Sequence, residues 1–124
     1  MATINLNQAD FEETISKPGI TIVDFWADWC GPCKNFAPVF ESSSERHPEI
    51  TFAKVDTEAE RPLSSTLSIS SIPTVMIYRD GILFYNEAGA LPSENLDKLL
   101  HLVGEIDMLK VHIEIADQEK VAVK

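Results

Sequence analysis

The chain reads as an α/β protein, a three-layer α/β/α sandwich around a central mixed sheet of about five strands and four helices. Three observations predict it. Strand-like and helix-like segments alternate from residue 3 to residue 103. The segments 20–26 and 50–56 are rich in apolar residues, as strands covered on both faces are. A single Asp-Gly pair, Asp80-Gly81, marks one hairpin late in the series. The order is β-α-β-α-β-α-β-β-α. Helices between strands imply parallel pairing, and the hairpin adds an antiparallel edge.

Residues 3–6 form a short first strand. Asn7 then suits a helix N-cap, with Asp10 three residues on as its capping partner, and Phe11 and Ile15 share one helical face. Lys17-Pro18-Gly19 stops that helix. Residues 20–26 are β-branched and aromatic, a buried strand. A helix over about 32–47 carries Phe36, Val39 and Phe40 at helical spacing. It holds Pro38 in its interior, where the ring removes a hydrogen bond and should kink it. Residues 50–56 form the next strand, and 60–67 a helix with Pro62 in its first turn. Residues 74–79 and 82–88 flank the hairpin turn. Residues 93–103 form an amphipathic helix with Leu96, Leu99, Leu100 and Val103 on its apolar side.

Beyond Gly104 two periodicities compete. Ile106, Leu109 and Ile113 prolong a helix, whereas Val111, Ile113 and Ile115 alternate as a strand would. We expect helix to about residue 112 with a loose end. The chain then divides into a domain at 1–104 and a C-terminal extension at 105–124.

A length of 124 residues suits one domain with a core of its own. The 20 acidic residues against 10 basic ones give a net charge of -10, which argues against nucleic acid or anionic membrane as a partner. No run approaches the ~18 apolar residues of a membrane helix. Residues 1–10 lack the positive start and apolar block of a signal peptide. A cytoplasmic monomer is the expectation.

The two cysteines, Cys30 and Cys33, form one C-x-x-C. A staple across so short a loop constrains the unfolded chain little, which leaves redox chemistry or metal binding. Zinc needs about four ligands, and His47, His101 and His112 stand at no spacing that completes a site, so no metal is expected. At a helix N-terminus, unpaired N–H groups and the helix dipole favour a thiolate, the nucleophile of disulfide exchange. Cys30 is placed to attack a substrate disulfide, and Cys33, one turn deeper, to resolve the mixed disulfide.

Asp24 interrupts the buried strand Ile22-Val23-Asp24-Phe25-Trp26. A buried carboxylate has a raised pKa and is a candidate acid/base that takes the proton from Cys33. The alternatives are a strand-end Asp facing water, or a salt bridge to Lys54. Pro73, in Ile72-Pro73-Thr74 at a strand start, reads as trans from composition alone, as most X–Pro bonds are.

The run Trp26-Ala27-Asp28-Trp29-Cys30-Gly31-Pro32-Cys33-Lys34 resembles the active-site motif of the thioredoxin family. The resemblance extends through Asp24, Pro38, Val55-Asp56, Ile72-Pro73-Thr74, Asp80-Gly81 and Gly89-Ala90, and covers roughly residues 3–103. It implies a protein-disulfide reductase with no bound cofactor, whose redox-active disulfide is Cys30–Cys33. Its electrons would come from NADPH through a thioredoxin reductase. It implies a cis Pro73 packed against the cysteines, and a backbone at Ile72 that pairs with an extended substrate by β-augmentation. A flat docking surface would comprise Trp29, Gly31, Pro32, Ile72, Pro73, Gly89 and Ala90, with Thr74 beside it. Turn geometry alone is the other reading of the two glycines, Gly31 and Gly89. Lys54 resembles the lysine that faces the family's buried carboxylate. Gly31-Pro32, without histidine, matches the reducing members.

The chain departs from the family pattern at Ser70-Ser71, at Pro92-Ser93 and in its length beyond Gly104. Partners of such a protein are a thioredoxin reductase and disulfide-containing proteins. A reductase dedicated to one partner, or a redox-modulated binding subunit, are the other functions the motif allows.

Overall fold

The computed structural model describes the backbone of residues 2–123 and the side chains of residues 2–119. Ten elements follow in order: β1 (Thr3–Asn5), α1 (Gln8–Ile15), β2 (Ile20–Trp26), α2 (Gly31–Arg46), β3 (Thr51–Asp56), α3 (Arg61–Thr66), β4 (Thr74–Arg79), β5 (Ile82–Ala88), α4 (Ser93–Gly104) and α5 (Met108–Val123). The local signals act where the sequence puts them. Asn7 is extended and its side chain accepts from the Asp10 N–H at 2.9 Å, which starts α1. Pro38 lies inside α2, and Pro62 falls in the first turn of α3. Asp80 and Gly81 both have positive φ, 52° and 81°, as a tight hairpin turn between right-twisted strands requires.

The strand order is β1-β3-β2-β4-β5. β3 runs parallel to both β1 and β2, while β4 pairs antiparallel with β2 and with β5. This corrects the expectation that helix-separated strands are all parallel. A crossover helix must carry the chain back along the sheet. α3 has six residues, about 9 Å of helix, against about 20 Å for the six-residue β3, so β4 sets off from the end where β3 finished.

Side chains alternate across the sheet and build a core on each face. On one, Val23, Phe25, Ala53, Val55 and Met76 pack beneath Phe11 and Ile15 of α1 and Leu63 of α3. On the other, Ile22, Phe52, Val75 and Ile77 pack beneath Phe36 and Phe40 of α2 and Leu96, Leu100 and Val103 of α4.

The extension is the second correction. α4 ends at Gly104, and a separate fifth helix, α5, starts at Met108 instead of a continuation to about residue 112 with a loose end. Asp107 supplies the start: its carboxylate accepts from the Lys110 N–H at 3.2 Å. Residue 124 lies outside the described residues. No helix of the described residues is long and apolar enough to cross a membrane.

Candidate active site

β2 delivers the chain to the site. Its last turn ends at Ala27, whose carbonyl accepts from the Cys30 N–H at 3.2 Å. Cys30 is then the N-cap of α2, in extended conformation, and its Sγ accepts from the Cys33 N–H at 3.2 Å. The sulfur therefore occupies the place that a Ser or Asp oxygen takes in ordinary caps, where the helix N-terminus favours negative charge. Pro32 suits the first turn because its missing N–H would have no partner there. Cys33 lies one turn on, and the two cysteines are joined as a disulfide with Cα atoms 5.2 Å apart. Both are buried, Cys30 at 4% exposure and Cys33 at 3%, against Ala27, Trp26 and Ile72.

The Ile72–Pro73 bond is cis, so the reading from composition alone is overturned and the resemblance holds. The Ile72 carbonyl oxygen lies 3.6 Å from Cys30 Sγ. The Pro73 carbonyl accepts from the Gly89 N–H at 2.7 Å, and Thr74 Oγ1 donates to the Ser71 carbonyl. The loop is thus held from both sides. Gly89 has φ +111°, so turn geometry itself demands glycine there. Ile72 is half-buried, Gly31, Pro32, Gly89 and Ala90 are exposed, and Pro73 and Thr74 are buried. Thr74 is brought to the site without reaching its surface; its hydroxyl shapes the loop.

Asp24 is fully buried, and among the described residues neither carboxylate oxygen has a hydrogen-bond partner. The reading of a strand-end Asp facing water fails, because Asp24 is paired mid-strand with both Lys54 of β3 and Val75 of β4 and its side chain is shut off from solvent. The salt bridge to Lys54 is not formed either. Asp24 and Lys54 are register partners on β2 and β3, but the Lys54 ammonium sits 5.1 Å from the centroid of the Trp26 ring, a cation–π position. Strand alternation puts Asp24 on the face of Ile22, beneath α2, between Ile22 and Trp26, which itself packs against the cysteines. Burial pushes its carboxyl up to about 7, with the positive charge of Lys54 pulling in the opposite direction.

Trp29 is 70% exposed beside Cys30, and its indole donates to Glu58 Oε1 at 2.9 Å. Glu58 also accepts from Arg61 at 2.8 Å. The indole bond, followed by the Arg61 contacts, holds the Glu58 carboxyl below its usual range. Sequence reasoning missed Glu58. Its spacing to Arg61 suggests only a helix-type ion pair, and nothing in the chain links it to Trp29, 29 positions away. Among the described residues no group of three or more His, Cys, Asp or Glu could hold a metal.

The thioredoxin family profile matches residues 2–102. A protein named putative thioredoxin 2 of Streptomyces coelicolor is 40% identical over 118 residues, 95% of this chain and 88% of the relative. That match leaves only six of the 124 residues uncovered, so it runs past α4 into α5. A thioredoxin of Alicyclobacillus acidocaldarius is 37% identical over 100 residues, 80% of this chain and 95% of the relative. Among solved structures, thioredoxin of Plasmodium falciparum aligns with a TM-score of 0.72 at 35% identity, covering 80% of this chain and 96% of the other. A mutant thioredoxin from Halobacterium salinarum aligns with a TM-score of 0.76 at 27% identity, covering 84% and 91%.

Proposed function

The chain belongs to the thioredoxin family and is a thiol–disulfide oxidoreductase that reduces protein disulfides, and on that premise we propose how its own residues divide the work. In the reduced protein the Cys30 thiolate attacks one sulfur of a substrate disulfide. That S–S bond breaks, the other substrate sulfur leaves as a thiolate and takes up a proton, and Cys30 is left in a mixed disulfide. Cys33 then loses its proton to Asp24 and attacks Cys30 Sγ. The second substrate sulfur leaves, and the protein carries the Cys30–Cys33 disulfide described here. Two electrons have passed to the substrate. NADPH, acting through a thioredoxin reductase, returns them, in the cytoplasm, as part of cell electron transfer and redox homeostasis. The active unit is the single chain, since every group named comes from one chain.

The observation that carries this reading is Cys30 at the N-cap, with the Cys33 N–H aimed at its sulfur. A donor 3.2 Å from the sulfur and the N-terminal field of a 16-residue helix both stabilise a thiolate over a thiol. Asp24 supports the second step because a carboxyl titrating at about 7 accepts a proton near neutrality without holding it afterwards. Substrate docks on Trp29, Gly31, Pro32, Ile72, Pro73, Gly89 and Ala90, with the backbone at Ile72 pairing with an extended segment and Thr74 fixing the loop from behind. Glu58 orients the Trp29 ring, and Lys54 tempers the charge on Asp24.

The test is reduction of a protein disulfide by the purified chain with NADPH and a thioredoxin reductase. Steady turnover that disappears in Cys30→Ser supports the reading. Turnover with a chemical dithiol but none with the reductase would remove NADPH and the reductase from it. No turnover with either would remove the general reductase reading.

A further inference from the structure

α5 is apolar along two stripes. Met108, Val111 and Ile115 fall at helical spacing on one side, where Met108 and Val111 are half-buried. Leu109, Ile113 and Ala116 recur at intervals of four and three on the other, and they are open: Leu109 is 70% exposed and Ile113 53%. That second spacing is the seam of a coiled coil.

The helix is presented on a built joint. Arg79 Nη1 donates to the carbonyls of Val103 at 2.9 Å, Gly104 at 3.1 Å and Ile106 at 2.8 Å, so one guanidinium ties the end of α4 and the turn after it to the sheet. Arg79 pairs with Ile20 at one end of the β2–β4 ladder, and Thr74, next to Pro73, pairs with Phe25 at the other. α5 therefore starts at the opposite end of the sheet from the redox pair.

We propose that α5 joins two copies of this chain as an antiparallel helix pair along Leu109, Ile113 and Ala116, leaving both redox surfaces open. Charge selects a second copy as the occupant. The open stripe is flanked on one side by Lys110 and Asp117 and on the other by His112 and Glu119, each couple one heptad apart. In an antiparallel pair, equivalent flanking positions meet across the seam. In the register that sets Ile113 against Ala116 of the partner subunit, Lys110 meets Asp117 of the partner subunit and His112 meets Glu119 of the partner subunit. The two-fold axis repeats both contacts, so Lys110 and Asp117 each face the opposite charge, and each His112 ring stands within reach of a carboxylate. A 16-residue helix is about 24 Å long, and one helix pair buries less than the roughly 1,200 Å² of a standard tight interface. The association is therefore reversible and set by concentration.

The test is sedimentation equilibrium of the full oxidised chain from ~1 μM to ~1 mM. The mass should rise from one chain to two across that range. Ile113→Asp should remain a monomer throughout, with disulfide reduction unchanged. Lys110→Glu should weaken association roughly tenfold, by setting like charges against each other twice. Adding Asp117→Lys to Lys110→Glu should restore it. A mass of one chain at every concentration overturns the proposal, as does pairing that survives Ile113→Asp. Failure of the charge swap to restore pairing overturns the antiparallel arrangement, because a parallel pair would not bring Lys110 against Asp117 of the partner subunit.

Discussion

Asp24 and Asp97 both lie close to α2, and their surroundings could hardly differ more. Asp97, on α4, accepts from Arg46 at 2.8 Å and 3.1 Å and from Ser43 at 3.1 Å, and it contacts the His47 ring at 3.3 Å. Its carboxyl is held below the usual range: partial burial pushes it up, and the Arg46, Ser43 and His47 hydrogen bonds outweigh that. Asp24 has full burial and no partner among the described residues, and its carboxyl is raised to about 7. A carboxylate with donors around it is a clasp, here joining α2 to α4. A carboxyl without them stays poised between two protonation states near neutrality.

The contrast breaks hardest at Cys33, the thiol whose proton Asp24 is proposed to take. Cys33→Ser should stop turnover altogether and leave the chain as a mixed disulfide with its substrate through Cys30, seen as a covalent adduct by mass spectrometry. If turnover persisted, Asp24 would have no proton to accept.

Next comes stability. In the folded chain Asp24 stays protonated up to about 7, whereas in the unfolded chain it ionises near its ordinary 3.8. Folding therefore takes up a proton between these values, and stability falls as pH rises through that window, by on the order of 4 kcal/mol. Asp24→Asn should be the more stable protein above pH ~7, and the difference should vanish below pH ~4 in urea titrations.

Asp97 should give the opposite slope. Its contribution is full above its ordinary pKa and is lost as pH falls through the lowered folded value. Asp97→Asn should cost about 1–2 kcal/mol at neutral pH, through weakened bonds to Arg46 and Ser43, and nothing at the acid end. The smallest effect sharpens a third carboxylate. Glu58→Gln should shift Trp29 fluorescence and raise KM while leaving the unfolding midpoint unchanged, because the contact is exposed.

Much of this was legible in the chain. Cys30, Cys33 and Asp24 stand out by residue type and place: two thiols one turn apart at a helix start, and a carboxylate inside an apolar strand, where burial is costly. Asn7 and Asp80-Gly81 are equally plain, since their effects are local. What escaped depends on distance. The direction of β4 follows from α3 being too short to recross the sheet, a comparison of lengths rather than of residue patterns. The cis bond at Pro73 came only from family likeness. The break before α5 escaped too: the anchor of the joint is Arg79, 24 to 27 positions from the carbonyls it binds. The Trp29–Glu58 bond is likewise a meeting of segments that no spacing encodes.

The most direct test of the central claim is the pH dependence of the resolving step, followed by stopped flow in the native chain and in Asp24→Asn. The account predicts a native rate that climbs through pH about 7, and a slower Asn variant that lacks this step while Cys30 keeps its reactivity toward an alkylating reagent. Identical profiles in the two proteins would contradict it and leave Asp24 as a buried charge without a part in the chemistry.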